Sequence, residues 1–238
     1  MNVKRTVLKG VGVAAMATAL VAGASKPAMA GMFVLVSDGT TTWEIDDGDT
    51  GTLSGHKADL NGGAGDILAS VPVGSYLVNV DTGLSKPVLP NTGGDAKIDL
   101  SVSAASNAAG NLTITLYDDG FNLSNFPATE TSTLGGTLAC NSCPAGSSIT
   151  FLSEVDGGPV LSFVTSANAY SNTASSTVPG PNPFAMVIQD TIRLTGAGNV
   201  SFNHQLEAQV PEPGSIALLG TGLVGLARGI RRRRGKKA

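Results

Sequence analysis

A two-residue alternation runs through Asn111–Tyr117, where Leu112, Ile114 and Leu116 alternate with Thr113, Thr115 and Tyr117. Successive strand side chains point to opposite faces, so this period places the apolar residues on one face of a strand, and that face belongs in a core. Similar short or β-branched runs recur at Phe33–Ser37, Thr41–Asp46, Ser75–Val80, Lys97–Ser103, Thr131–Ala139, Ser148–Val155, Pro159–Thr165, Met186–Thr195 and Asn199–Gln209. Between the runs stand Asp46-Asp47-Gly48-Asp49, Asn61-Gly62-Gly63, Asn91-Thr92-Gly93-Gly94, Asp118-Asp119-Gly120 and Asp156-Gly157-Gly158. Gly, Asn and Asp supply the left-handed or locally bonded backbone that tight turns need, so these clusters read as turns. Ser171–Pro183, with Ser, Thr, Asn and three prolines, reads as a long loop. Together the pattern predicts an all-β chain with one β-sandwich domain, jelly-roll-like, over residues 31–210. The 31 glycines and the lack of long Ala/Glu/Lys/Leu stretches agree with it.

Charge is divided by position. Lys4, Arg5, Lys9 and Lys26 lie in the first 30 residues, and Arg228, Arg231–Arg234, Lys236 and Lys237 lie at the end. Between Gly31 and Val210 only Lys57, Lys86, Lys97 and Arg193 are basic, against 17 acids, so the body carries a net charge of −13. Such a body repels nucleic acid, and no nucleic-acid partner is expected.

Met1–Ala30 has the parts of a secretory signal: basic Lys4, Arg5 and Lys9, an apolar Val11–Gly23, and Ala28 and Ala30 ahead of a cut before Gly31. Its apolar part is about 13 residues, short of the roughly 20 that a stable span requires. The twin-arginine pair is absent at Lys4-Arg5, which favours the general secretory route. At the other end, Pro211-Glu212-Pro213 precedes an apolar Gly214–Ala227, which Arg228 and the basic cluster follow directly. A short C-terminal apolar helix is predicted there. Fourteen residues at about 1.5 Å each cover roughly 21 Å, less than the roughly 30 Å hydrocarbon core, so the span is short or temporary. Arg228 can snorkel, and the basic tail stays on the cytoplasmic side.

This ordered tail resembles a PEP-CTERM sorting domain, found at the C-terminus of exported bacterial proteins handled by exosortases. In that family the Pro-Glu-Pro triplet marks the processing region, the hydrophobic segment holds the protein in the inner membrane, and the arginines stop transfer. The resemblance assigns those parts to Pro211, Glu212 and Pro213, to Gly214–Ala227, and to Arg228 with Arg231, Arg232, Arg233 and Arg234. It implies a signal peptide over 1–30, a body over 31–210 and a sorting segment over 211–238. It also implies an exosortase-type partner, a transient stay in the inner membrane, and a destination at the cell surface or outside the cell, often in an exopolysaccharide or biofilm matrix. Gly235–Ala238 extends past the usual arginine ending without changing the topology. The expected role of the body is structural or adhesive. The alternative is a polysaccharide-binding module, calcium-assisted.

Other chemistry is sparse. Gly220-Thr-Gly222-Leu-Val-Gly225 fits a dinucleotide fingerprint as a string, but the chain ends before the required acidic residue. Cys140 and Cys143 predict a short-loop disulfide in an oxidising compartment, with free thiols or a metal pair as alternatives; zinc would need two further ligands. Asp46, Asp47 and Asp49 around Gly48 read first as turn chemistry and secondly as a calcium site without the EF-hand spacing, and Asp118/Asp119 is a second such place. Trp43, Tyr76, Tyr117 and Tyr170 are candidates for a sugar-stacking face. No nucleophile-elbow pattern appears, and an enzyme is not expected.

Overall fold

The structure is a computed structural model that describes residues 31–90, 94–140, 146–180, 182–210 and residue 221. The signal segment, the sorting triplet, the predicted apolar helix apart from Thr221, and the terminal arginines lie outside the described residues.

Twelve strands form among the described residues: β1 Phe33–Ser37, β2 Thr42–Asp46, β3 Asp66–Val73, β4 Tyr76–Leu84, β5 Asp95–Ser106, β6 Gly110–Phe121, β7 Ala128–Ala139, β8 Ser148–Val155, β9 Leu161–Thr165, β10 Ala169–Val178, β11 Phe184–Leu194 and β12 Gly198–Gln209. They build two six-stranded sheets, ordered β2-β1-β6-β11-β8-β9 (sheet I) and β10-β7-β12-β5-β4-β3 (sheet II). Their ladders are antiparallel. Within this frame β5 to β12 give the orders β5-β12-β7-β10 and β6-β11-β8-β9, the two halves of an eight-stranded jelly roll. The β1–β2 hairpin extends sheet I beside β6, and the β3–β4 hairpin extends sheet II beside β5.

The period-two pattern explains the layering. Leu112, Ile114 and Leu116 of β6 and Ile188 and Ile192 of β11 are fully buried, facing Ile98, Leu100, Val102 and Leu206 from sheet II. Each such side chain contributes roughly 1.5–3 kcal/mol by leaving water. Phe151 of β8 sits among Phe202, Tyr170 and Phe163, with ring centroids 5.5, 5.4 and 6.4 Å away.

Three expectations change. Residues 171–178, read as the start of a loop, belong to β10, an edge strand that pairs with β7 over its whole length. Its Ser, Thr and Asn side chains carry no apolar alternation, because only one side of the strand is paired and its outer side chains face water. β3 was absent from the predicted set; Pro72 lies in it and is tolerated because β3 is the other edge of sheet II. Asp118-Asp119-Gly120 is not a turn but part of β6, where the register against β11 shifts between Phe184 and Met186. Gly120, at φ +74°, supplies the left-handed residue of that bulge.

Gly136 marks the tightest approach within sheet II. A Cβ there would run into the Ser201 carbonyl oxygen and lie 2.8 Å from the Phe202 Cα, backbone that cannot rotate away. Gly136→Ala is expected to destabilise the protein by about 1–3 kcal/mol, read as a lower denaturant midpoint at unchanged slope.

Candidate functional site

The densest group of ionisable side chains grows from β2. Ile45 points into the core, so Glu44 and Asp46 on either side of it point outward from sheet I. Residues 55–57 run beside β2 in parallel, with the Glu44 amide donating to the Gly55 carbonyl (3.0 Å) and the Lys57 amide to the Glu44 carbonyl (2.9 Å). This pairing brings His56 next to Glu44. Its Nδ1 lies 2.8 Å from Asp49 Oδ2 and 3.3 Å from Asp46 Oδ2. Ligand-type atoms of Glu44, Asp46 and His56 all lie within 4.8 Å of one another. The Gly51 amide donates to Asp49 Oδ1 (2.8 Å), and this bond, with His56, holds the Asp49 carboxyl below the usual carboxylate range.

Asp47 turns the other way. Its Oδ2 accepts from the Gly65 amide (2.8 Å), while Oδ1 is buried without a hydrogen-bond partner. Asp59 accepts from the amides of Gly48, Asn61 and Leu68. Burial, and then the charges of Asp59 and Asp47, push the Asp66 carboxyl up. The three aspartates singled out for calcium are thus divided: Asp46 and Asp49 meet at His56, which the sequence pattern did not include, and Asp47 belongs to a second group with Asp59 and Asp66. Carboxylates alone suit calcium, whereas the His56 nitrogen gives its own group the mixed donors that suit a transition ion. At the other aspartate pair a cation already sits in place. Lys86 Nζ is 2.7 Å from both Asp118 oxygens and lies 4.5 Å from the Phe121 ring centroid.

A second constellation, invisible as a motif, lies between the sheets. His204 of β12 and Asp190 of β11 are both fully buried, and Nδ1 lies 2.8 Å from Asp190 Oδ1 across the sandwich. The other ring nitrogen, Nε2, lies 2.9 Å from the Ser132 hydroxyl on β7. Burial drives the Asp190 carboxyl up, opposed by His204. Glu130, two residues along β7 from Ser132, is also fully buried; its Oε2 accepts from the Val155 amide (3.3 Å) and its Oε1 has no partner. Desolvation pushes the Glu130 carboxyl up to about 7. The order Ser–His–Asp copies a hydrolytic relay, but Ser132 is 5% exposed and the void beside it holds about 10 Å³, room for about one water. Its geometry ties sheet II to sheet I rather than presenting a nucleophile to a substrate. The signal was present in the alternation: Asp190 falls on the inward register between Ile188 and Ile192, and His204 between Phe202 and Leu206.

The aromatic residues do not form one stacking face. Tyr76 is buried with its hydroxyl donating to the Gly110 carbonyl (2.7 Å), and Tyr170 packs against Phe151 in the core. Trp43 lies under Lys57, whose Nζ is 4.0 Å from the ring centroid, and Tyr117 stacks on Phe33 at 4.9 Å. Cys140 follows β7, with Sγ 3.2 Å from the Ala197 carbonyl oxygen, while Cys143 lies outside the described residues. No helix among the described residues is long and apolar enough to cross a membrane.

No curated protein matches the chain. The body resembles several solved β-rich structures at low similarity. TmCBM61, solved in complex with beta-1,4-galactotriose, has 6% identity and a TM-score of 0.32, over 55% of this chain and 86% of that one. Family 16 Carbohydrate Binding Module-2 has 6% identity and a TM-score of 0.27, over 43% and 72%. The K1 cleaved adhesin domain of Lys-gingipain from Porphyromonas gingivalis W83 has 8% identity and a TM-score of 0.29, over 62% and 99%. At the C-terminus, residues 209–234 match the model of the PEP-CTERM protein-sorting motif. The matched stretch contains Pro211-Glu212-Pro213, the apolar run and Arg228 with Arg231–Arg234, in the order a sorting tail requires, and by that match this chain carries a PEP-CTERM protein-sorting motif at residues 209–234.

Proposed function

We propose that this chain is a non-catalytic protein of the bacterial cell surface or extracellular matrix, with a structural or adhesive body. The sorting motif at residues 209–234 carries this reading. Export delivers the body outward, the apolar segment and arginines hold the tail in the inner membrane, and an exosortase-type enzyme acts at the Pro211-Glu212-Pro213 region. Cys140 and Cys143 pair as a short-loop disulfide in that oxidising setting. The body is suited to life in a matrix. The edge strands of sheet II are protected against chance pairing by Pro72 in β3 and by the polar, exposed face of β10, and the charge of −13 keeps copies apart. Fractionation of the producing cell tests the reading. The protein is expected in the surface and matrix fractions, and a cytoplasmic pool alone would overturn it.

A second reading, a polysaccharide-binding module with calcium assistance, is favoured by one specific observation. Part of the outer face of sheet II is paved with short hydroxyl and amide side chains, while the carboxylates of residues 44–66 offer oxygen donors for a cation.

A further inference from the structure

Six antiparallel strands at about 4.8 Å spacing give sheet II an outer face roughly 24 Å wide. Strand register arranges its side chains in rows. One row runs Leu77, Ala105, Asn199 and Ala139, and the next runs Asn79, Ser103, Ser201 and Thr137. These two rows line a shallow groove of about 220 Å³. Its floor is low because Ala105 and Ala139 end at Cβ, and Leu77, half exposed, stands at one side.

The groove has a definite chemistry. No Lys, Arg, Asp or Glu lines it, although the body around it is strongly acidic. An anionic polymer gains no ion pair there, and the carboxylate at its margin, Asp81, accepts from the Ser103 hydroxyl (3.4 Å). Hydroxyl and amide side chains each donate and accept, as the hydroxyls of a sugar do. Asn79 Oδ1 already accepts from Ser70 (2.8 Å), which orients its amide. Thr137, Asn199 and Ser201 make no side-chain hydrogen bond to any described residue, so their polar groups are free to bond a ligand laid along the groove. The alanines and Leu77 offer apolar surface to the C–H faces of a sugar ring.

We infer that the groove across β4, β5, β12 and β7 binds a neutral, hydroxyl-rich polysaccharide strand, with Asn79, Ser103, Asn199 and Ser201 as its hydrogen-bonding residues. This rests on the polysaccharide-binding reading and names its surface. Without an aromatic platform the groove holds each sugar weakly, and retention comes from many groove-bearing copies along one polymer.

Affinity electrophoresis of the exported protein through gels containing a neutral β-glucan, a mannan or dextran tests this. Retardation by at least one polymer is expected. Asn199→Ala combined with Ser201→Glu is expected to weaken it at least tenfold at an unchanged melting temperature, because both side chains are exposed. Equal retardation of the variant would move the sugar elsewhere and overturn the groove while leaving polysaccharide binding intact. No retardation of the wild type by any neutral polymer would overturn both, and sorting to the surface would stand apart from that result. Sedimentation showing a wild-type dimer that Ser201→Glu dissociates would assign the groove to a second copy of the chain and also overturn the proposal.

Discussion

His204→Ala is expected to destabilise the protein by about 3–5 kcal/mol, enough to unfold a marginal domain. Two physical losses combine. Asp190 Oδ1 loses the imidazole 2.8 Å away, and Asp190 Oδ2 already lacks a partner, so the carboxyl becomes a fully buried polar group with nothing to hold it. The vacated ring also leaves a void against Phe151, which meets the imidazole edge-on at a centroid distance of 5.6 Å. Urea denaturation measures the cost. The double change Asp190→Leu with His204→Phe is expected to recover most of it, because replacing both partners by apolar groups removes the orphaned polar atoms. A His204→Ala variant as stable as wild type would show that the contact does not join the sheets.

Glu130 produces the second large effect, and it depends on pH. Its folded-state carboxyl titrates at about 7, above the ordinary 4.5, because burial disfavours the charge. The folded protein therefore binds this proton more tightly than the unfolded chain. That advantage is complete below about 4.5 and is lost as pH rises through 7. From the size of the shift, the wild type is expected to lose about 3 kcal/mol between pH 4.5 and 8 through this residue. Glu130→Gln keeps the shape and the acceptor for the Val155 amide but cannot ionise. Its stability is expected to match wild type near pH 4.5 and exceed it by about 2–3 kcal/mol at pH 8. Denaturation curves of the two proteins that stay parallel across this range would remove Glu130 as the cause.

Much of this architecture was legible in the chain because burial of one strand face forces period two. β1 and β8 coincide with their predicted bounds, and the alternation in β6 fixes which of its residues enter the core. The edge strands of sheet II were harder to read than β2 and β9, the edges of sheet I. β10 is stabilised by backbone pairing to β7, which any side chain permits, and β3 carries a proline that only an edge accepts. Long-range geometry was not legible at all. Nothing in the spacing of Glu44, Asp46 and His56 announces that residues 55–57 lie beside β2, and Ser132, Asp190 and His204 come from three separate strands. The groove depends on register between β4, β5, β12 and β7, a property of pairing rather than of any one segment. The sorting tail was readable for the opposite reason: its parts act in linear order, and the motif match covers the same residues.

Sorting by that tail is open to a direct measurement. Wild-type protein and a chain lacking Pro211–Ala238 are to be compared in a strain with a working exosortase, by C-terminal mass and by cell fractionation. Wild-type protein is expected to pass through the inner membrane, lose its C-terminal segment near Pro211-Glu212-Pro213 and accumulate at the surface or in the matrix, while the shortened chain bypasses the membrane stage and changes location. An intact C-terminal mass for the wild type, with both proteins found in the same fraction, would contradict it.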